Sequence, residues 1–287
     1  MKAVCFKNQK IFLTDIPIPI PSDNEALVKI NLAGVCATDV ELLNGYHNFA
    51  GIPGHEFTGI VHYAPDQPDL EGRRVVADIN CGGDDCDICL TGDQRHCSNR
   101  SVIGIRGRNG VFAEFCVIPL ANLYEVPDVI EDDEAVFAEP LAAALEIVQQ
   151  VKVSKMTRGA VFGDGKMGLL CALVLRQFTE NITLIGRYPK KLNIAAQQSV
   201  HTVCRSRNNP DEASGVQAKD FDLVVEATGS PDGSNEAIGL VRPKGTIVIK
   251  TTSSEKSAID LADVVVNEVR LIGSRCGNIQ QASDMMK

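Results

Sequence analysis

The chain has 287 residues, 44% of them hydrophobic and 23% charged, a globular composition with room for two domains. Its formal net charge of -9 sets it against nucleic acid and anionic membrane surfaces as partners. No run reaches the ~18 apolar residues of a membrane span, and the N-terminus has no apolar core of signal-peptide length, so the expected location is the cytoplasm.

Taken in order, residues 1–35 read as short strands at 4–6, 11–13 and 26–30, separated by turn residues. The prolines at 17, 19 and 21 predict an extended connector rather than a central strand. Cys36 and the pair His55-Glu56 follow. A thiolate, an imidazole and a carboxylate are zinc donors, and a catalytic zinc takes three protein ligands and keeps one position open. They stand too far apart for one helix face, so the chain has to fold back, and Gly51, Pro53 and Gly54 suit that return. On their own the same residues read equally as a small buried thiol and a surface dipeptide. Tyr46, His47 and Phe49 are candidates for lining a pocket, against the plainer reading of loop packing.

Runs at 57–61 and 73–77 are again strand-like, giving a β-rich first half. Four of the ten cysteines, Cys81, Cys86, Cys89 and Cys97, share one short segment. Cys86, Cys89 and Cys97 follow C-x2-C-x7-C, and Cys81 adds a sulfur upstream. In a reducing compartment this clustering predicts a closed four-thiolate structural zinc rather than disulfides. Asp84, Asp85, Asp87 and Asp93 read as solvated loop charges, and His96 as a neighbour of the site. Short β-like runs return at 110–126. The acidic residues 131–134 before an alanine-rich apolar run predict a helix start, where a macrodipole favours negative charge. Glu139 differs: set among Phe137, Ala138, Pro140 and Leu141, its carboxylate needs a partner, and a metal is one.

Past residue 153 the pattern changes. Gly163, Gly165 and Gly168 form G-x-G-x-x-G directly after a strand at 160–162, open a helical run, and precede a second strand at 182–186. In that βαβ setting the glycines let backbone amides, with Lys166 and Met167 in the same turn, approach a pyrophosphate at a helix N-terminus. Further apolar runs at 221–229, 245–250 and 269–273 predict a doubly wound parallel sheet. An NAD-preferring fold of this kind places Asp or Glu at the end of the second strand. Here Gly186 is followed by Arg187, Lys190 and Lys191, which predicts NADP, with Arg187 as the phosphate clamp.

The ordered set resembles the zinc-dependent medium-chain dehydrogenase/reductase family of alcohol, sorbitol, threonine and glucose dehydrogenases. It comprises residues 34–39 (GVCATD), Gly54-His55-Glu56, the cysteine loop, Glu139-Pro140-Leu141, the glycine motif and Glu226-Ala227-Thr228-Gly229. The resemblance implies an α/β protein with a β-rich GroES-like substrate domain at 1–140 and a doubly wound Rossmann domain at 141–287. It implies a catalytic zinc on Cys36 and His55, completed by Glu56 or Glu139. It also implies that Thr38 bonds the substrate hydroxyl, that Asp39 supports His55, and that Thr228 and Gly229 lie beside the cofactor. The activity implied is hydride transfer between an alcohol, polyol or sugar and NADP, with NAD as the lesser choice, in a homodimer or homotetramer. Three features depart from the pattern, the first being Ala37, which stands where many members have Gly or Arg. The interval from Cys81 to Cys86 is longer than the usual C-x2-C, and family members run some tens of residues beyond the 273–276 region. The alternative expectation is therefore a zinc- and cofactor-binding protein without turnover.

Overall fold

The computed structural model describes residues 1–8, 10–45, 49–83, 86–205, 217–253 and 255–287; Tyr46, His47, Asp84 and Asp85 thus lie outside the described residues. The chain divides into two compact units, one of residues 1–142 with 278–287 and one of residues 143–277.

In the first unit, β1 (Lys2–Lys7) and β2 (Lys10–Asp15) form an antiparallel pair. The proline-rich connector that follows carries no strand. Next come β3 (Glu25–Gly34), helix α1 (Ala37–Leu43), β4 (Glu56–Tyr63) and β5 (Arg74–Ala77). The cysteine segment holds β6 (Asn80–Cys81) and the single turn α2 (Asp87–Leu90). β7 (Ser101–Ile103), β8 (Gly107–Arg108), β9 (Phe115–Pro119) and β10 (Leu123–Glu125) complete the unit's strands. The main antiparallel sheet runs β10-β5-β4-β3-β9. Its central strands bury Ala26, Val28, Phe57 and Val61, which explains the apolar runs at 26–30 and 57–61.

The expected helix after the acidic cluster is two helices, α3 (Asp132–Ala135) and α4 (Ala138–Gln150), separated by a turn at 136–137. A continuous helix from Asp132 would put Pro140 in its interior, where the ring removes a hydrogen bond and clashes with the preceding turn. The break places Pro140 in the first turn of α4 instead. Within α3, Asp132 accepts from Thr58 Oγ1 and Asn31 Nδ2, both at 3.0 Å, and meets Arg74 Nη1 at 3.3 Å. It thereby ties α3 to the sheet.

The second unit follows the predicted alternation: β11 (Gly159–Phe162), α5 (Lys166–Arg176), β12 (Ile182–Gly186), α6 (Pro189–Ala196), β13 (His201–Cys204) and β14 (Phe221–Glu226). α7 (Gly233–Leu240), β15 (Val241–Ile249), α8 (Leu261–Val266) and β16 (Arg270–Gly273) close it. All pairings are parallel, in the order β13-β12-β11-β14-β15-β16. The winding reverses between β11 and β14, which is where such sheets open a crevice at their carboxyl ends. Ala160, Phe162, Ile185, Val224 and Ile247 belong to one buried cluster, as strands covered on both faces require.

The last helix, α9 (Ile279–Met286), belongs to the first unit, with Ile279 and Ala282 buried. Its apolar face packs in the first unit, beside α3. Among the described residues no helix is long and apolar enough to cross a membrane.

Candidate functional site

The register of two neighbouring strands assembles the candidate metal centre. Gly34 at the end of β3 pairs with Glu56 at the start of β4. Cys36, two residues beyond that pair, therefore lies beside His55 and Glu56 despite the long excursion between them. The return is made through Gly51 and Gly54, at φ 143° and 92°, a region that favours glycine. The donor atoms of Cys36, His55 and Glu56 all lie within 4.8 Å of one another. His55 is 3% exposed and Glu56 2%. Gly34 makes room for this: a Cβ there would stand 2.6 Å from Glu56 Oε2.

Asp39, in the first turn of α1, holds the arrangement together. Its Oδ2 accepts from the Cys36 amide at 2.8 Å and its Oδ1 from the Gly54 amide at 3.2 Å. The same Oδ1 stands 3.2 Å from His55 Nδ1, off the ideal hydrogen-bond line. With Nδ1 on the carboxylate, Nε2 is the ring nitrogen left to act as a ligand. Burial pulls the His55 pKa down, but hydrogen bonding and charge from Asp39 and Cys36 outweigh it and hold the pKa well above its ordinary value. The site is thus built to accept a positive charge. A sulfur, an imidazole and a carboxylate, with one position to spare, are the donor set of a catalytic zinc. Thr38 Oγ1 is 3.6 Å from Cys36 Sγ. Glu139, half-buried in the first turn of α4, is not in this group. Phe49 packs with Phe6 and Leu42 in a buried cluster, the plainer of its two readings.

In the cysteine segment the sulfurs of Cys86, Cys89 and Cys97 converge, with Cys86 at 3.5 Å from Cys89 and 3.8 Å from Cys97. Tetrahedral zinc with Zn–S near 2.3 Å requires sulfurs about 3.8 Å apart, so the three fit one ion. Cys81 does not join them, and the four-thiolate expectation is corrected to three. Its side chain is buried against the Ile79 carbonyl and Ser101, and that burial raises its pKa to about 11.

In the second unit, the carboxyl ends of β11, β12 and β14 surround a cleft of about 600 Å³. Of the expected residues, Gly163, Gly165, Gly186, Arg187, Lys191 and Thr228 line it. Lys166 and Met167 form the first turn of α5, and Gly168 backs onto the Gly163 carbonyl so closely that no Cβ fits. Gly229, at φ 72°, sits in the loop after β14. Asp164 is buried, and its Oδ2 accepts from the Arg187 and Tyr188 amides at 2.8 and 2.6 Å. Its charge is spent on backbone and fixes the loop that aims Arg187. Lys191 Nζ lies 4.7 Å from the Tyr188 ring.

Sequence reasoning missed Arg205, which also lines the cleft. Its guanidinium stands 5.5 Å from the Phe162 ring and 3.1 Å from Glu236. The signal was present, since Arg205 directly follows a strand that pairs with β12, but that pairing is not written in local periodicity. Asp164 was missed because it sits within the glycine motif as a variable position.

Residues 22–128 match the alcohol dehydrogenase GroES-like domain and residues 166–287 match the zinc-binding dehydrogenase domain. The starvation-sensing protein RspB of Escherichia coli K12 is 27% identical over 286 residues, covering 96% of this chain and 84% of the relative. The D-altritol 5-dehydrogenase of Agrobacterium fabrum is 29% identical over 297 residues, covering 98% and 87%. A Sinorhizobium meliloti protein assigned as a zinc-binding dehydrogenase and solved with NADP superposes with a TM-score of 0.87. It is 28% identical, with 99% of this chain and 87% of that one covered. Two domains of the right kinds in the right order, a converging Cys-His-Glu donor set and a glycine-lined cleft lead to one conclusion: the chain belongs to the zinc-dependent medium-chain dehydrogenase/reductase family.

Proposed function

We propose that this protein is an oxidoreductase that transfers a hydride between a polyol or related alcohol and NADP, using zinc held by Cys36, His55 and Glu56. The observation that carries the reading is the convergence of those three donors around Asp39 in a buried site. The polyol class is supported by the relative named for D-altritol.

When bound, zinc supplies a Lewis acid that eases loss of the substrate's hydroxyl proton, and the nicotinamide supplies the hydride carrier. The chain's own residues do the rest. Asp39 orients the His55 ring and anchors the Cys36 and Gly54 backbone, so the donors are fixed before anything binds. Thr38 Oγ1 relays the hydroxyl proton, accepting it while its own proton passes on to solvent water, because a hydroxyl can accept one hydrogen bond while donating another. Gly163 and Gly165 let the cofactor's pyrophosphate approach the backbone at the start of α5. Arg187, Lys191 and Arg205 provide positive charge for a 2′-phosphate, with Arg187 as the bidentate clamp.

None of the ten cysteines is in a disulfide, which fits a reducing, cytoplasmic setting. Self-association as a homodimer or homotetramer is part of the same reading. The test is a steady-state screen of polyols and simple alcohols with NADP, run beside Cys36→Ser. Turnover that disappears in the variant, together with one zinc equivalent and with NADP binding retained, is the expected result; equal turnover in the variant sinks the assignment.

A further inference from the structure

The cysteine cluster brings together three thiolates and not four, for a reason visible in the backbone. The chain passes the three sulfurs at Gly82 and Gly83, not at Cys81. A Cβ on Gly82 would stand 3.4 Å from Cys89 Sγ, and the Gly83 amide donates to the Cys97 sulfur, as does that of Asn99. The segment therefore meets the cluster with backbone, where a fourth cysteine would have to present a side chain.

Cys81 cannot make up the difference. It lies in β6, in register with Ser101 of β7, and its side chain is buried beside Arg108 and Asp78. Turning it to the cluster would mean giving up that strand pairing, since side chains in a strand alternate faces. Among the described residues no histidine or carboxylate joins Cys86, Cys89 and Cys97 either. His96 is 56% exposed, with its Nε2 at 3.9 Å from Asp93 Oδ2. Cys89 and Cys97 are buried while Cys86 is only half so, which leaves the Cys86 side for whatever completes the shell.

We infer that this site binds zinc through three thiolates, Cys86, Cys89 and Cys97, with a non-sulfur oxygen or nitrogen donor in the fourth position. The inference is independent of the catalytic reading, because it concerns a separate group of residues.

The test is zinc K-edge absorption spectroscopy on full-length Cys36→Ser, whose remaining zinc occupies the cysteine site. The expected shell is three sulfurs near 2.3 Å and one lighter atom near 2.0 Å. A shell of four sulfurs overturns the inference, as does a variant that retains no zinc. Metal content of Cys81→Ser and Cys97→Ser gives a second, spectroscopy-free readout. Cys81→Ser is expected to keep both zinc equivalents and Cys97→Ser to lose one. Loss of zinc from folded Cys81→Ser would restore Cys81 as a ligand.

Discussion

Asp39 Oδ1 and His55 Nδ1 stand 3.2 Å apart in a pocket where both residues are less than a tenth exposed. The same carboxylate accepts from the Cys36 and Gly54 amides, so one side chain fixes both Cys36 and His55. Asp39→Asn keeps the shape and removes the charge. Outer partners of this kind are worth roughly 10- to 100-fold in metal affinity or activity. The expected outcome is a loss of that size in zinc affinity and kcat with the circular dichroism spectrum unchanged. Unaltered zinc affinity would show that His55 needs no help from Asp39.

Gly34 tests the strand register. Alanine there would bring a Cβ within 2.6 Å of Glu56 Oε2 and 3.3 Å of Glu56 Cβ. The carboxylate has to move, and overpacking of this kind costs about 1–3 kcal/mol. Gly34→Ala should lower Tm, reduce kcat and release one zinc equivalent while the cysteine-site zinc stays. Full activity with both zincs in place would mean that Glu56 is not held where a ligand must be.

The cation set bears on cofactor choice. Hydrogen bonds to charged groups contribute about 1.5–3 kcal/mol, or roughly tenfold to a hundredfold in affinity. Arg187→Asp should shift the NADP to NAD ratio of kcat/KM toward NAD by about that factor. Arg205→Ala should weaken NADP more than NAD, by less, because Glu236 already shares its charge. A ratio that stays put in both variants removes the NADP preference from the reading.

Cys171 offers a check on burial in the second unit. Desolvation raises its pKa from the ordinary 9.0 to about 11, with the charge of Lys250 opposing the shift. The unfolded chain therefore gives up this proton at lower pH than the folded one. Stability should be fully present below pH 9 and fall as pH rises from there through about 11. Urea titrations across that window should show the decline, and Cys171→Ala should make it shallower. An identical slope in the variant would rule the thiol out as its source.

What could be read from sequence followed the range of the physics involved. The glycine motif was legible because strand, turn and helix are consecutive there. Arg187 and Lys191 were legible because they come straight after a strand whose end sets the cofactor's sugar. Arg205 was not, since its place depends on β13 lying beside β12. Cys36, His55 and Glu56 were nameable, but only the Gly34–Glu56 register brings them together. Cys81 misled for the opposite reason: proximity along the chain suggested a fourth ligand, and strand alternation sends its sulfur elsewhere. The split between α3 and α4 was foreseeable from Pro140, whose ring is tolerated only near a helix start.

Helix α9 carries a consequence for biosynthesis. Because residues 278–287 belong with residues 1–142, the whole stretch 143–277 must leave the ribosome before α9 can join the first unit. At roughly 5–20 residues per second that delay is on the order of ten seconds. During it the sites that α9 covers in the first unit stand open, and a nascent chain halted before Ile279 should engage chaperones through that gap.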